Sequence, residues 1–345
     1  MVKIRRIQNE NAGFIKDVSD IIATEAWKNP FLIPDLAKDK TLFVFSDYSQ
    51  VKGKYKTYSF FIIGRSGADY FNGARKILRD DFNLENRRMS YKGLGDKRKL
   101  KALPAFLSCA GAVDGVLITF AVDTQIQYMF AEQFLDVWKE LSVFKKNVLE
   151  DMLRVVHFGA QAIMTVFSDS QNIVWFTDCD AIVANEKHEQ LFGKLAETTI
   201  RHGFMPQENI NHVAFGLSEI DDGSLEIEDF IAVPDLVAGA LCETLDQLNI
   251  SNLRVASNLI LKKPNVTDKA NIICEWIGKM ACPLKKFGVV FDKFGTQPWA
   301  FRPTFFTIQN PYISACEVTC SAQKGASLIS KPIRFDIEDL HDGQG

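Results

Sequence analysis

Three short apolar runs, each closing at or just before an aspartate, constrain the fold of this chain most. They are Thr41-Leu42-Phe43-Val44-Phe45 ahead of Asp47, Val116-Leu117-Ile118-Thr119-Phe120-Ala121-Val122 ahead of Asp123, and Ile173-Val174-Trp175-Phe176 ahead of Asp178. Each is of strand length and rich in β-branched and aromatic residues, so each predicts a buried β-strand. A further aromatic and β-branched run over 55–63 follows the first after a polar stretch containing Gly53, which predicts an antiparallel hairpin. Between the runs the pattern turns helical: 68–81, 97–109 with Asp96 as its cap, 125–167 with a break near Lys145-Lys146-Asn147, and 185–202. Short strands are expected over 213–218 and 225–231, and Pro234-Asp235 is expected to open a helix running to 245. Strands alternating with helices after an opening hairpin imply an α/β fold, with a mixed sheet, a parallel portion and helices on both faces.

The flanks read differently. Residues 1–40 form an N-terminal extension with an amphipathic helix over 14–27, and 41–250 form the core. Residues 251–345 form a C-terminal extension, helical over 269–280 and rich in Phe and Pro from 287 to 319. Its apolar segment 287–306 suits either a protein interface, with a partner or a second copy, or an extension of the core.

The 345 residues are 47% apolar and 24% charged, ordinary values for a folded chain, and the formal net charge is −3. Coating nucleic acid through bulk charge is excluded, so any such contact needs a local patch. Seven scattered cysteines, odd in number and mostly in apolar surroundings, predict buried free thiols in a reducing cytoplasm. Cys316 and Cys320 lack nearby histidines, which argues against zinc. No apolar segment follows the charged start Met1 to Arg6, and the run 116–122 is too short to span a bilayer; no membrane association is expected. Neither an H-E-x-x-H pair nor a G-x-S-x-G elbow occurs, and Tyr91-Lys92-Gly93-Leu94-Gly95 lacks P-loop spacing.

The acids at the ends of the apolar elements carry the chemistry. Asp47, Asp123 and Asp178 follow strands, and Asp235 precedes Leu236-Val237-Ala238-Gly239-Ala240. Sites in open α/β sheets form at strand ends, so these residues could converge. Converging carboxylates repel one another unless a divalent cation neutralises them, and oxygen ligands suit Mg²⁺. Such ions support phosphodiester cleavage. An aspartate after a strand is also a common turn former, and Asp235 could serve only as a helix-end charge.

The segment Phe43-Val44-Phe45-Ser46-Asp47-Tyr48-Ser49 resembles the opening Y-x-D-E-S/T strand motif of a bacterial and phage family of RNase H-like proteins, whose activity is largely unassigned. Val116 through Asp123 is similar to that family's central strand, and Ile173-Val174-Trp175-Phe176-Thr177-Asp178 to its later strand and acid. Phe230-Ile231-Ala232-Val233-Pro234-Asp235-Leu236-Val237-Ala238-Gly239-Ala240 is similar to its helix motif A-D-L-x-A-G/Y-A. The resemblance covers about 41–247. Tyr48 stands where the family has Glu, Pro234 where it has Ala, and Glu85 is the nearest acid to a position the family fills before the helix near residue 90. The resemblance implies an RNase H-like core and a metal-dependent nuclease site using Mg²⁺ or Mn²⁺. Asp47, Asp178 and Asp235 would be its catalytic ligands, with Asp180 and Asp123 as second choices.

A dense basic stretch comprises Arg87, Arg88, Lys92, Lys97, Arg98, Lys99 and Lys101, with Tyr91 among them. Arg87, Arg88, Lys92, Lys97 and Arg98 could neutralise phosphates of DNA or RNA while Tyr91 stacks on a base; the other reading is a solvated surface. Two functions follow. One is metal-dependent phosphodiester hydrolysis. The other is a catalytically degenerate binding or assembly subunit of a defence or mobile-element system.

Overall fold

A computed structural model describes residues 6–7, 14–49, 53–130, 139–178, 182–183, 185–204, 209–250, 258–260, 265–279, 282–297 and 300–309. The first apolar run is β1 (Thr41–Tyr48), and it pairs antiparallel with β2 (Tyr55–Gly64) in the expected hairpin. β2 pairs antiparallel with β3 (Gly115–Asp123). On its other edge β1 runs parallel to β4 (Asn172–Thr177), which runs parallel to β5 (Val213–Leu217). β3 is extended by parallel β7 (Leu284–Lys293), then antiparallel β8 (Phe301–Gln309), with the short β6 (Asn258–Ile260) outermost. The sheet order is β5-β4-β1-β2-β3-β7-β8-β6. This is the RNase H-like mixed α/β sheet expected, opened by an antiparallel hairpin. β1, β3, β4, β5 and β7 share one direction, so all five end on the same edge of the sheet.

Period-two alternation divides the side chains between two cores. Leu42, Val44, Phe60, Ile62, Ile118, Phe120, Ile173 and Trp175 face α1 (Phe14–Lys28), α4 (Lys146–Val166) and α5 (Glu186–Thr198). Phe45, Phe61, Ile63, Leu117 and Ala121 face α2 (Arg65–Asp81), α3 (Lys97–Gly111), α6 (Glu226–Ile250) and α7 (Asp268–Ile277). α4 is buried almost all round, its polar side chains Glu150, Arg154, His157 and Gln161 included. Its one acid, Glu150, that lies fully inside accepts the Met129 and Phe130 N–H groups at 2.7 and 3.1 Å and pairs with Arg154 at 2.8 Å.

Two expectations are corrected. Residues 226–231 of the stretch expected as a strand are helical, and Pro234 lies inside α6 instead of opening it. The Asp221 carboxylate explains the early start, accepting N–H groups from Gly223, Leu225 and Ile227 at 2.9, 2.9 and 2.8 Å. A helix does not begin at 125 either. Asp123 holds a turn there through the Gln125 N–H at 2.9 Å, and a single helical turn over Lys139–Val143 precedes α4; 131–138 lie outside the described residues.

The C-terminal apolar segment enters the core: Phe287, Phe291, Phe301 and Phe305 are buried, and the Phe301 ring lies 4.9 Å from that of Phe14. Cys109, Cys242, Cys274 and Cys282 are free thiols, while Cys179, Cys316 and Cys320 lie outside the described residues. Among the described residues no helix is long and apolar enough to cross a membrane.

Candidate functional site

β1, β4 and β5 end side by side. Ser46 pairs with Thr177 and Thr177 with Leu217, so the next residues, Asp47, Asp178 and Ser218, occupy neighbouring rungs. Adjacent strands lie roughly 5 Å apart, close enough for these side chains to interact. Asp47 continues the alternation of Phe43 and Phe45 and so belongs to the face covered by α6. Ser218, itself buried, donates to Asp178 Oδ1 at 2.7 Å.

α6 brings the other acids. Phe230 stacks on Phe45 at 4.5 Å between ring centres, seating the helix over β1. Glu228 and Asp235 stand two helical turns apart and share one face. Asp235 Oδ2 accepts the Tyr91 N–H at 2.6 Å. Arg88 Nη2 pairs with Glu228 and lies 3.7 Å from Asp178 Oδ1.

The charges respond to this crowding. Burial pushes the Asp235 carboxyl up to about 6, and the nearby Asp178 charge adds to the rise; the Tyr91 N–H, Lys92 and Arg88 pull the other way. Burial also raises Glu228, with Arg88 opposing and Asp178 reinforcing. Asp178 and Asp235 therefore feel each other across the gap between β4 and α6. The arrangement can hold or release a proton near neutrality, and it attracts cations.

No known protein family, curated protein or solved structure matches this chain. The site must be judged on its own donors. Among the described residues no three His, Cys, Asp or Glu side chains form a ready metal-binding group. Mg²⁺, however, needs only one or two protein carboxylates, the rest of its shell being water and phosphate oxygens. Asp178 and Asp235, with Asp47 on the adjoining rung, fit that requirement in donor chemistry. Asp180 lies outside the described residues.

Asp123 is not brought to this site. It sits at the end of β3 opposite Tyr55, two strands from β1 and four rungs beyond Ser59, the partner of Asp47. Its buried carboxylate is held by Lys54 at 3.4 Å and by the Gln125 N–H. It lines a separate open groove of about 630 Å³ together with Lys54 and Lys293. Gly53 at this groove has no room for a side chain, because a Cβ would meet the Asp246 carboxylate at 1.5 Å.

The basic stretch divides. Arg87 is engaged by Glu85 at 2.9 Å and Asp96 at 3.2 Å, and Arg98 reaches Glu85 at 3.7 Å. Lys97 and Lys92 are exposed. Arg88 and Lys92 act on the charge of Asp235, lowering its carboxyl. The stacking role expected of Tyr91 is corrected. Its ring lies against Gly239 and under the Lys269 ammonium at 4.0 Å, and its hydroxyl donates to Glu243 at 2.5 Å, so it locks the chain onto α6. Sequence reasoning missed Glu228 and Ser218. The seven-residue spacing between Glu228 and Asp235 would have exposed Glu228 had 226–250 been read as one helix.

Proposed function

We propose that this protein is a metal-dependent phosphodiester hydrolase acting on nucleic acid in the cytoplasm, with Asp47, Asp178 and Asp235 as its working carboxylates. The observation that carries the reading is that Asp178, at the end of β4 on the rung beside Asp47, acts electrostatically on Asp235 of α6 at the edge where five strands end. The resemblance of these same segments to an RNase H-like family supports it. Mg²⁺ or Mn²⁺ held there supplies Lewis-acid polarisation of a phosphoryl oxygen. The chain's own groups do the rest. Ser218 orients Asp178, the Tyr91 N–H orients Asp235, and Arg88 and Lys92 meet phosphate charge.

The test is cleavage of single- and double-stranded DNA and RNA with Mg²⁺ or Mn²⁺. Asp47→Asn, Asp178→Asn and Asp235→Asn should each lower the rate at least roughly 100-fold while the fold is retained. Wild-type rates in these variants would reject the assignment.

One observation favours a second reading. Arg88 already neutralises Asp178 and Glu228, and Tyr48 replaces the family's Glu, as in a core kept for binding or assembly in a defence or mobile-element system. Under that reading millimolar Mg²⁺ or Mn²⁺ leaves the melting temperature unchanged, since only a ligand that binds the native state stabilises it.

A further inference from the structure

The main chain around Arg88 is held on both sides. Arg79 Nη2 donates to the carbonyls of Glu85 and Arg87 at 2.5 and 3.1 Å, and Lys99 Nζ donates to the Arg88 carbonyl at 3.0 Å. Beyond it the Tyr91 N–H is bound by Asp235, and the Tyr91 carbonyl accepts from Lys269 Nζ at 3.0 Å. The Arg88 side chain is different, with 53% of its surface exposed. Its guanidinium can leave the carboxylates by side-chain rotation alone, without disturbing the backbone. In place, it puts a positive charge between Asp178 on the strand edge and Glu228 on α6.

We propose that Arg88 is a tethered counter-ion that occupies the carboxylate site at rest and competes with a divalent cation for it. This rests on the functional reading above and adds a regulatory step to it. Two cations sharing Asp178 repel each other, so ion binding expels the guanidinium from the carboxylates. The expelled side chain, still anchored by its backbone, becomes the nearest positive group for the phosphate of an incoming strand. The site then neutralises itself when no ion is bound and gains a phosphate contact when one is.

The experiment is Mn²⁺ titration of the full chain by calorimetry and by the paramagnetic resonance of free Mn²⁺, without nucleic acid. Arg88→Ala and Arg88→Gln should bind Mn²⁺ roughly two- to fivefold more tightly than wild type, the gain expected from removing a partly exposed ion pair. Gln retains most of the side-chain stem and so separates the effect of charge from that of packing. Asp178→Asn, alone or combined with Arg88→Gln, should abolish binding. If wild type binds Mn²⁺ in an Asp178-dependent way and both Arg88 variants bind it no better, the counter-ion role is overturned and the metal site stands. If neither wild type nor the Arg88 variants bind Mn²⁺ at millimolar concentration, both ideas fall.

Discussion

Asp235 carries an energetic signature that can be measured without knowing the substrate. Its folded carboxyl keeps a proton up to about pH 6, whereas an ordinary aspartate loses it near 3.8. Between those values the native state binds more protons than the unfolded chain, so stability falls as pH rises from about 4 to 6 and stays lower above that. Asp235→Asn removes the slope. Its melting temperature should match wild type near pH 4 and exceed it above pH 6.5, and Mn²⁺ should narrow the gap by stabilising only the wild type. Parallel melting profiles from pH 4 to 8 would show that the Asp235 carboxyl is not perturbed. Asp47, Asp178 and Asp235 were legible in the sequence because each borders an apolar element. Glu228 was hidden, since nothing in its neighbours distinguishes it from a solvent-facing acid until the helix places it in register with Asp235. Tyr91 misled for the opposite reason, because an aromatic among basic residues has the composition of a nucleic-acid surface whether its ring is offered or packed away.

α6 is the element that makes the site, and two polar anchors set its position. At one end Asp229, fully buried, is paired with Arg75 at 3.1 Å and Arg79 at 2.8 Å from α2. At the other, Asp246 accepts the Lys54 and Tyr55 N–H groups at 2.7 and 3.3 Å, which ties the helix to the start of β2. Breaking a buried pair strands a charge in the interior. Asp229→Ala should therefore cost about 3–5 kcal/mol in urea unfolding, far more than truncating an exposed pair such as Arg65–Asp69. A loss under 1 kcal/mol would mean that apolar packing alone seats α6. The sequence disguised the start of this helix. Pro234 is an ordinary helix opener, and here it stands in the interior, where it leaves the Phe230 carbonyl without its usual helical donor. By contrast α3 was readable to its first residue, because Asp96 caps it by accepting the Arg98 and Lys99 N–H groups.

At the scale of the molecule, the sheet grows from the opening hairpin in both directions, with β4 and β5 on one side and β7, β8 and β6 on the other. The hairpin and the alternation of strands with helices were plain in the sequence. The joining of β7 to β3 was not, since pairing between distant segments leaves no local pattern. Residues beyond 250 fill the first core with four phenylalanines and cover an edge of β3 paired along Gly115–Val122. A chain ending at 250 should consequently aggregate or lose its cooperative melt, as followed by sedimentation and circular dichroism. A soluble monomer melting like the full chain would show that the added strands are dispensable. The same arrangement sets a schedule during synthesis. β1, β2 and β3 leave the ribosome together, but the strand that closes β3 is made much later. At roughly 5–20 residues per second, the wait is on the order of ten seconds. For that interval β3 offers an open, apolar edge to any neighbouring nascent chain, which makes the half-made protein a natural client for chaperones.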